Sequence, residues 1–279
     1  MALQRALEAA FPRERRLVED PLAVAFLDGP LRAAAWLARI PALGRLITIL
    51  YDLVWPGPRP SAIARTRLID DTVAKLVAGG VAQLVILGAG YDSRAWRLPA
   101  LDGVRVIEVD RADTQGDKLN RLQAGGHDPG AVSFAAVDFE TERLEDAIDR
   151  AGLDAAAPAV WLWEGVTNSL SADAVDRTLA AIRAVAAPGS WLLFTYVHRA
   201  ALEGTTAFPE ARRWVRSVAR VGEPWTFGLD PAQLDGFLHA RGFALRWECT
   251  TAEAGRRYFP AVGRSELGSE LYRIALATA

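Results

Sequence analysis

The sequence predicts a doubly wound α/β fold, and three observations predict it. Apolar runs of strand length alternate with helical segments from about residue 82 to residue 197, which is typical of a parallel sheet with helices on both faces. The first apolar run ends in a glycine turn, Gly88-Ala89-Gly90. The last two runs are separated by 21 residues without a convincing crossover helix, which predicts an antiparallel ending.

The N-terminal part is predicted to be a helical lid over residues 1–60 of a single domain, 1–279. A turn is expected at 28–30, and the proline-rich segment 55–60 is expected to be a stiff connector, neither helix nor central strand. Ser61 is then the predicted N-cap of a helix that runs to about Val77.

The cofactor-binding core is predicted to span residues 61–199, followed by a lid insertion over 200–230 and the end of the sheet over 231–279. The predicted strands are 82–87, 104–109, 131–137, 159–163, 191–197, 243–249 and 271–277. The predicted helices after the first are 112–124, 141–151, 172–186, 200–222 and 231–241, the last capped by Asp230.

Composition excludes several classes of protein. With 51% hydrophobic residues and a net charge of −2, the chain has a sizeable core and no electrostatic footprint for nucleic acid. Because Cys249 is its one cysteine, neither a disulfide nor a CxxC metal site is available, and we predict no metal.

The first 16 residues lack the apolar stretch of a signal peptide. The most apolar segment, 31–55, is interrupted by charged residues and Pro41, so no uncharged run reaches the ~18 residues of a membrane span. We therefore expect a cytoplasmic protein without stable membrane insertion. A monotopic membrane role stays as an alternative, and the oligomeric state stays open.

A nucleoside site is predicted at the carboxyl ends of the strands. Gly88 and Gly90 allow a sharp turn, and Asp110, 20 residues past Gly90, can accept hydrogen bonds from ribose hydroxyls. Asp138 can accept one from an adenine amino group, and the Phe139 backbone can pair with the ring edge.

The dinucleotide fingerprint is incomplete, because Ser93 replaces the third glycine. Tyr91, Asp92 and Arg94 crowd the space that a diphosphate needs. The pattern therefore favours S-adenosyl-L-methionine, which has no phosphate, and NAD(P) with an oxidoreductase function remains the alternative.

Several segments resemble the leucine carboxyl methyltransferase family, in particular its bacterial branch of S-adenosyl-L-methionine-dependent methyltransferases. They are ARTRLIDD (64–71), LGAGYDSRAWRLP (87–99), VIEVDRADTQGDKL (106–119), VDF (137–139), WLWEGVTNSL (161–170), TYVHRAALEG (195–204) and GEPWTFGLDP (222–231). The resemblance implies a class I methyltransferase (Rossmann-like) fold with a helical lid, a doubly wound sheet and an antiparallel last strand.

The resemblance also implies roles for site residues. Arg65 would pair with the cofactor's carboxylate, and Glu164 would lie near the sulfonium. Gly88 and Gly90 would line the methionine end, Asp110 the ribose, and Asp138 and Phe139 the adenine. Ala89 and Arg111 are also predicted to bind the cofactor. Arg94 and Arg97 are expected to be salt-bridged supports.

One departure concerns the methyl acceptor. In this branch the motif after the glutamate commonly reads EGVTMYL, and its tyrosine helps to hold the substrate carboxylate. Here it reads EGVTNSL, with Asn168 and Ser169 at the two changed positions. This disfavours a protein C-terminal carboxyl as the acceptor. The predicted reaction is O-methylation of a small molecule, at a carboxylate or a hydroxyl, in secondary metabolism.

The predicted substrate pocket contains Tyr51, Asn168, Ser169, Tyr196 and Trp225. A hydroxyl acceptor would benefit from a general base, for which His198 is the candidate; the alternative is a helix-capping or otherwise hydrogen-bonded histidine. A protein that binds S-adenosyl-L-methionine without turning it over is the second alternative function. The tryptophans of the lid segments, among them Trp36 and Trp55, are expected to pack in the core or to line an aromatic pocket.

Overall fold

The structure is a computed structural model that describes residues 1–130, 132–204, 208–220 and 222–279. In these residues seven strands form one sheet, in the order β3-β2-β1-β4-β5-β7-β6. The strands are β1 (Gln83–Leu87), β2 (Arg105–Asp110), β3 (Val132–Ala136), β4 (Ala159–Trp163), β5 (Trp191–Val197), β6 (Ala244–Thr250) and β7 (Tyr272–Thr278).

The order and the direction of the strands together make the sheet doubly wound. The pairs β1·β2, β2·β3, β1·β4 and β4·β5 are parallel, whereas β7 runs antiparallel to both β5 and β6. The predicted antiparallel last strand is confirmed. Because the chain leaves β1 toward β2 and later returns to β4 on its other side, a crevice for ligands is expected where the carboxyl ends of β1 and β4 diverge.

The helices flank this sheet. Those of the described residues are α1 (Ala2–Leu7), α2 (Gly29–Leu37), α3 (Pro41–Val54), α4 (Pro58–Ala78), α5 (Arg94–Arg97), α6 (Ala112–Ala124), α7 (Leu144–Arg150), α8 (Ala172–Val185), α9 (Ala211–Arg220), α10 (Leu234–His239) and α11 (Thr251–Tyr258). No described helix is both long enough and apolar enough to cross a bilayer.

Alternate residues of each strand enter two core layers. Val85 and Leu87 of β1 lie in the layer that contains apolar residues of α7, α8 and α10. Leu84 and Ile86 lie in the opposite layer, with residues of α4 and α11. Since both faces are covered, the central strands are mostly apolar, which is why the sequence shows them as apolar runs.

Helix α4 begins at Pro58, so the prediction that segment 55–60 is a connector is wrong from Pro58 onward. Proline is tolerated in the first helical turn, where the missing N–H would have no intrahelical acceptor. Gly57, at a φ of 98°, precedes the helix, and the Ser61 N–H already donates to the Gly57 carbonyl at 3.0 Å. Ser61 therefore lies inside the helix and is not its N-cap.

The segment between β6 and β7 contains a helix, α11, that the sequence analysis did not predict. A capping box fixes its start: the Glu253 N–H donates to Thr250 Oγ1 at 3.0 Å, and the Thr250 N–H donates to Glu253 Oε2 at 2.7 Å. The helix packs on α4 and returns the chain to the sheet. The T-x-x-E signature was readable in the sequence.

Among the other predicted helices, those over 231–241 and 200–222 are much shorter than expected. In 231–241 a 3₁₀ turn precedes α10, and Asp230 caps it by accepting the Ala232 N–H at 3.0 Å. In 200–222 the described helix is α9. Residues 205–207 and 221, and the predicted first residue of the third strand, Ala131, lie outside the described residues.

Candidate functional site

The glycine turn follows β1 directly. Gly88 and Gly90 have φ values of 63° and 47°, in the left-handed region that favours glycine. A Cβ on Gly88 would lie 2.3 Å from Cγ2 of Val166, in the loop after β4. The Ala89 N–H donates to the Val109 carbonyl at 3.0 Å. The turn is therefore fixed between the ends of β2 and β4.

Asp110 ends β2 and faces this turn. One carboxylate oxygen accepts the Gly90 N–H at 2.5 Å, and the other accepts the Arg111 N–H at 2.7 Å. Burial raises the pKa of Asp110 more than these two N–H donors lower it. The Arg111 side chain is exposed and hydrogen-bonds to Asp113 at 3.3 Å, so Arg111 contributes its backbone to this corner.

Asp138 and Phe139 follow β3 at the same edge. Asp138 is half-buried, and its carboxylate accepts the Glu140 N–H at 2.9 Å. The Phe139 ring lies in the core, 6.5 Å from the Trp163 ring between centroids. The backbone N–H of Phe139 has no hydrogen-bond partner in the part of the chain that the structure describes. It is a donor that a purine ring edge can use.

Glu164, the first residue after β4, is held by two buried guanidinium groups. Arg65 Nε donates to Oε1 at 2.8 Å, and Arg94 Nη2 lies 2.8 Å from Oε2. Burial alone would raise the pKa of Glu164, but Arg94 and Arg65 outweigh it and hold that pKa below its ordinary value. Glu164 is therefore a carboxylate at neutral pH.

Arg94 and Arg97 are salt-bridged, as predicted. Arg94 Nε donates to Asp70 at 2.7 Å, and Arg97 Nη1 lies 2.6 Å from the other oxygen of the same carboxylate. Arg94 also pairs with Asp92. These contacts join α4, α5 and the end of β4 in one buried charge network.

Arg65 lies between Glu164 and an aromatic ring. Its guanidinium carbon is 4.5 Å from the ring centroid of Tyr272, and Nη2 lies 2.8 Å from the Met1 sulfur. Nη1 has no hydrogen-bond partner among the residues that the structure describes. Nη1 can therefore still donate a hydrogen bond to a ligand carboxylate.

The loop from Glu164 to Leu170 contains Asn168 and Ser169, which are predicted to lie on the acceptor side. The Asn168 carbonyl accepts the Thr226 N–H at 2.7 Å, and Asn168 Nδ2 donates to Ser169 Oγ at 3.4 Å. The Trp225 ring packs against the Tyr272 ring with centroids 6.1 Å apart. Asn168, Ser169 and Trp225, three of the predicted pocket residues, thus lie together.

Tyr272 contacts both Arg65 and Asn168 and is not among the residues predicted from the sequence. Its hydroxyl donates to Asn168 Oδ1 at 3.3 Å and would lie 3.7 Å from a Cβ on Gly165. The pairing of β7 with β5 sets Tyr272 opposite Val197, which brings it to the end of β4. The sequence shows an aromatic residue near the start of the last predicted strand, but it does not show that this strand pairs with β5.

Two predicted pocket residues, Tyr196 and Tyr51, have hydrogen-bond partners outside this loop. Tyr196 is fully buried, and its hydroxyl donates to Glu248 at 2.9 Å, so it is a core residue and the prediction that it lines the pocket is wrong. The physical reason is that β5 is an interior strand, covered on both faces. Tyr51 lies on α3, where its hydroxyl accepts a hydrogen bond from Gln4 at 2.9 Å.

His198 follows β5 and acts as a cap. Its Nδ1 accepts the Ala200 N–H at 3.1 Å, at the start of a short 3₁₀ helix. Burial lowers its pKa, which keeps the ring neutral at pH 7 with the proton on Nε2. His198 is therefore a capping residue in this structure, as the alternative prediction states. Its unprotonated nitrogen, Nδ1, already accepts a hydrogen bond.

The sheet order with its antiparallel last strand, the glycine turn and the strand-end acids are those expected of a class I methyltransferase fold. The family model for leucine carboxyl methyltransferases matches residues 1–183. The chain belongs to that family, which decides between the two predicted cofactors in favour of S-adenosyl-L-methionine.

Relatives agree with this assignment. A protein of Frankia alni named as an S-adenosyl-L-methionine-dependent methyltransferase is 34% identical over 238 residues, which cover 82% of this chain and 79% of that protein. One of Mycobacterium marinum with the same type of name is 30% identical over 275 residues, 92% of this chain and 82% of that protein.

Two solved structures share the fold. A methyltransferase-like protein of Thermobifida fusca superposes with a TM-score of 0.60 at 22% identity, covering 85% of this chain and 88% of that one. A DUF574 family protein of Streptomyces avermitilis gives a TM-score of 0.60 at 15% identity, covering 98% and 99%. At these identities the likeness concerns the fold alone.

Proposed function

We propose that this methyltransferase O-methylates a small molecule of secondary metabolism, at a carboxylate in preference to a hydroxyl. The observation that carries the proposal is the composition of the acceptor side, where neutral hydrogen-bonding groups and aromatic rings meet beside Glu164. Asn168, Ser169 and Tyr272 can orient an oxygen nucleophile, and Trp225 offers a flat apolar wall.

The described residues fit the cofactor. When bound, S-adenosyl-L-methionine supplies a methyl group on a sulfonium centre. Nη1 of Arg65 would donate to the cofactor's carboxylate, Asp110 would bind the ribose and the Phe139 N–H the adenine edge, while the ionised Glu164 complements the positive charge. Asp138 would accept from the adenine amino group, and the Gly88–Gly90 turn leaves room for the methionine end.

The state of His198 supports a carboxylate acceptor. A carboxylate is already ionised at neutral pH and needs no general base, whereas a hydroxyl benefits from one. Nδ1 of His198 accepts the Ala200 N–H. If Nδ1 took a proton from the methyl acceptor, this capping hydrogen bond would be lost. The chain's own contribution is then to bind and orient the acceptor and to exclude water.

Ser169 supports an acceptor other than a protein C-terminus. The family's tyrosine at this position is absent, and the Tyr272 phenol reaches the same loop from β7 through its hydrogen bond to Asn168. Because this phenol comes from β7, the space beside Ser169 differs in shape from the space that a tyrosine at position 169 would leave. This difference favours a small molecule over a peptide end.

The test uses S-adenosyl-L-methionine labelled in its methyl group and a small-molecule extract of the source cells. Label that enters a product and is released as methanol by mild alkali is expected, since methyl esters hydrolyse readily and methyl ethers do not. Alkali-stable label on oxygen would move the assignment to a hydroxyl. Label on nitrogen, or no transfer to any compound, would refute O-methylation. The Asp110→Ala variant serves as the control without cofactor binding.

A further inference from the structure

The hairpin of α2 and α3 turns its large apolar side chains toward solvent. Of the 13 large hydrophobic side chains that are exposed in the described residues, 11 lie between Leu31 and Trp55. They are Leu31, Trp36, Leu37, Ile40, Leu43, Leu46, Ile49, Leu50, Leu53, Val54 and Trp55. A continuous apolar surface of this kind marks an interaction site.

The inward side of the hairpin is built from small residues, which fixes its orientation. Ala35, Ala38, Gly44 and Thr48 are buried. A Cβ on Gly44 would lie 2.1 Å from the Ala38 carbonyl oxygen and 2.8 Å from the Ala10 Cβ. The larger side chains therefore face outward, and Leu43, Leu46, Leu50 and Leu53 follow one another at the spacing of a single helix face.

Arginines surround this apolar stripe. Arg32, Arg39 and Arg45 are exposed on the hairpin, and Arg212, Arg213, Arg216 and Arg220 are exposed on α9. None of these seven forms a salt bridge within the described ranges. Asp52, an acidic residue of the hairpin, is neutralised by Arg59, whose Nε donates to it at 3.0 Å.

Helix α9 is attached to the end of the hairpin. Arg213 Nη1 donates to the Val54 carbonyl at 3.4 Å, and Trp214 Nε1 donates to the Pro56 carbonyl at 3.3 Å. A cleft of about 480 Å³ opens between them, lined by Trp55 and by the four arginines of α9. An indole beside several guanidinium groups suits a phosphate headgroup at the boundary of a bilayer.

We propose that this surface, formed by α2, α3 and α9 and here called the basic apolar face, binds the surface of an anionic lipid bilayer. The apolar stripe would enter the boundary of the acyl chains while the arginines contact lipid phosphates. Helix α3 has 14 residues, about 21 Å at ~1.5 Å per residue, which is short of the ~30 Å hydrocarbon layer, so the hairpin lies in the interface. A second copy is disfavoured as the occupant, because its seven arginines, which form no salt bridge among the described residues, would face the same seven cations here.

Vesicle flotation tests the proposal with the full chain. Phosphatidylcholine vesicles are compared with vesicles that contain about 30% phosphatidylglycerol, at about 0.1 M and about 0.5 M NaCl. Binding to the anionic vesicles at low salt is expected to exceed binding to the neutral ones about tenfold and to weaken at high salt. The Leu50→Glu/Leu53→Glu variant is expected to lose binding, and Arg212→Gln/Arg216→Gln to lose the preference for anionic lipid.

Leu267→Glu and Arg143→Gln/Arg150→Gln are the matched controls, since these exposed residues lie outside the face. They are expected to bind as the wild type does, and all variants are checked by thermal unfolding. Wild-type protein that floats with neither vesicle, or undiminished flotation of Leu50→Glu/Leu53→Glu, would overturn the proposal. A dimer in light scattering that this variant dissociates, without lipid binding, would assign the face to a second copy and overturn it too.

Discussion

Asp110 and Glu164 are two strand-end carboxylates with opposite pKa shifts. Burial raises the pKa of Asp110, whose partners are two backbone N–H groups. At Glu164 two guanidinium groups outweigh burial and lower the pKa. The difference fits two tasks, a hydrogen-bond acceptor for neutral hydroxyls at Asp110 and a permanent negative charge at Glu164.

Replacing Asp110 with alanine is expected to abolish cofactor binding. The change removes the acceptor proposed for the ribose and releases the Gly90 N–H that the carboxylate now holds. Calorimetry with S-adenosylhomocysteine measures the effect, and Asp113→Ala, an exposed neighbour on α6, is the control. Micromolar binding by the Asp110→Ala variant would contradict the assignment.

Tyr272→Phe is expected to raise the KM for the acceptor while leaving cofactor binding unchanged. The variant keeps the ring that Arg65 covers but loses the hydrogen bond to Asn168. A bond of this kind contributes about 1 kcal/mol, so a roughly fivefold rise is expected. Steady-state kinetics checks the KM and calorimetry the cofactor. An unchanged acceptor KM would show that the phenol has no part in positioning.

The loops after β1 and β4 pack closely against each other because Gly88 has no side chain. Gly88 combines a positive φ with the close approach of Val166. By contrast, Gly103, in the turn before β2, has a φ of 78°, and a Cβ added there would meet no atom within 4 Å. An alanine at Gly103 would add only backbone strain, whereas an alanine at Gly88 would add strain and a clash with Val166. Comparing the two variants therefore separates these two contributions to the free energy of unfolding.

Gly88→Ala is expected to destabilise the fold by about 2–4 kcal/mol, against about 1 kcal/mol for Gly103→Ala. Adding Val166→Ala to Gly88→Ala should recover part of the difference, because it removes the methyl groups that the new Cβ would meet. Chemical denaturation measures the three variants. Equal losses for Gly88→Ala and Gly103→Ala would mean that the loop of β4 moves freely.

Across the whole molecule, one buried charge network joins elements that are distant in the chain. Asp70 and Arg65 of α4, Arg94 of α5 and Glu164 after β4 are linked by contacts of 2.7–2.8 Å. These contacts fix the loop after β4 to the helices α4 and α5. Removing charge from one member leaves its buried partners uncompensated.

The network predicts how stability depends on pH. A carboxyl whose pKa is lower in the folded than in the unfolded chain stabilises the fold above its unfolded value and loses this contribution as the pH falls through the folded value. For Glu164 the contribution is complete above its ordinary pKa of 4.5 and is lost in more acidic solution.

Thermal unfolding from about pH 3 to about pH 7 checks this dependence. Glu164→Gln is expected to have a lower Tm than the wild type at neutral pH, and the two curves should converge below about pH 4.5. Curves that stay equally far apart over the whole range would show that the charge of Glu164 contributes nothing to stability.

Sequence patterns predicted the elements whose causes are local. The parallel strands were recognisable because they are apolar on both faces, and Gly88, Gly90 and Asp110 stand at fixed offsets from strand ends. The predicted start of α4 is wrong because the prediction treats proline as a helix breaker, whereas the first helical turn tolerates it. Helix α11 was missed although its capping box is local.

Contacts between distant segments could not be predicted in this way. Tyr272 and Asn168 are 104 positions apart and meet because β7 inserts between β5 and β6. Tyr196 was expected in the pocket, but its strand lies inside the sheet and its hydroxyl binds Glu248. Trp36 and Trp55, expected in the core or in an aromatic pocket, are 61% and 42% exposed.

Local motifs of the sequence are enough to predict the proposed cofactor-binding edge of this methyltransferase, because a glycine turn and strand-end acids directly follow the strands that they end. The tertiary structure alone decided the acceptor side and the outward face of the α2–α3 hairpin. Both depend on which elements pack together: β7 beside β5 delivers Tyr272 to Asn168, and small residues against Ala10 turn the leucines of α3 to the outside. Such packing depends on long-range pairing, which residue spacing does not encode.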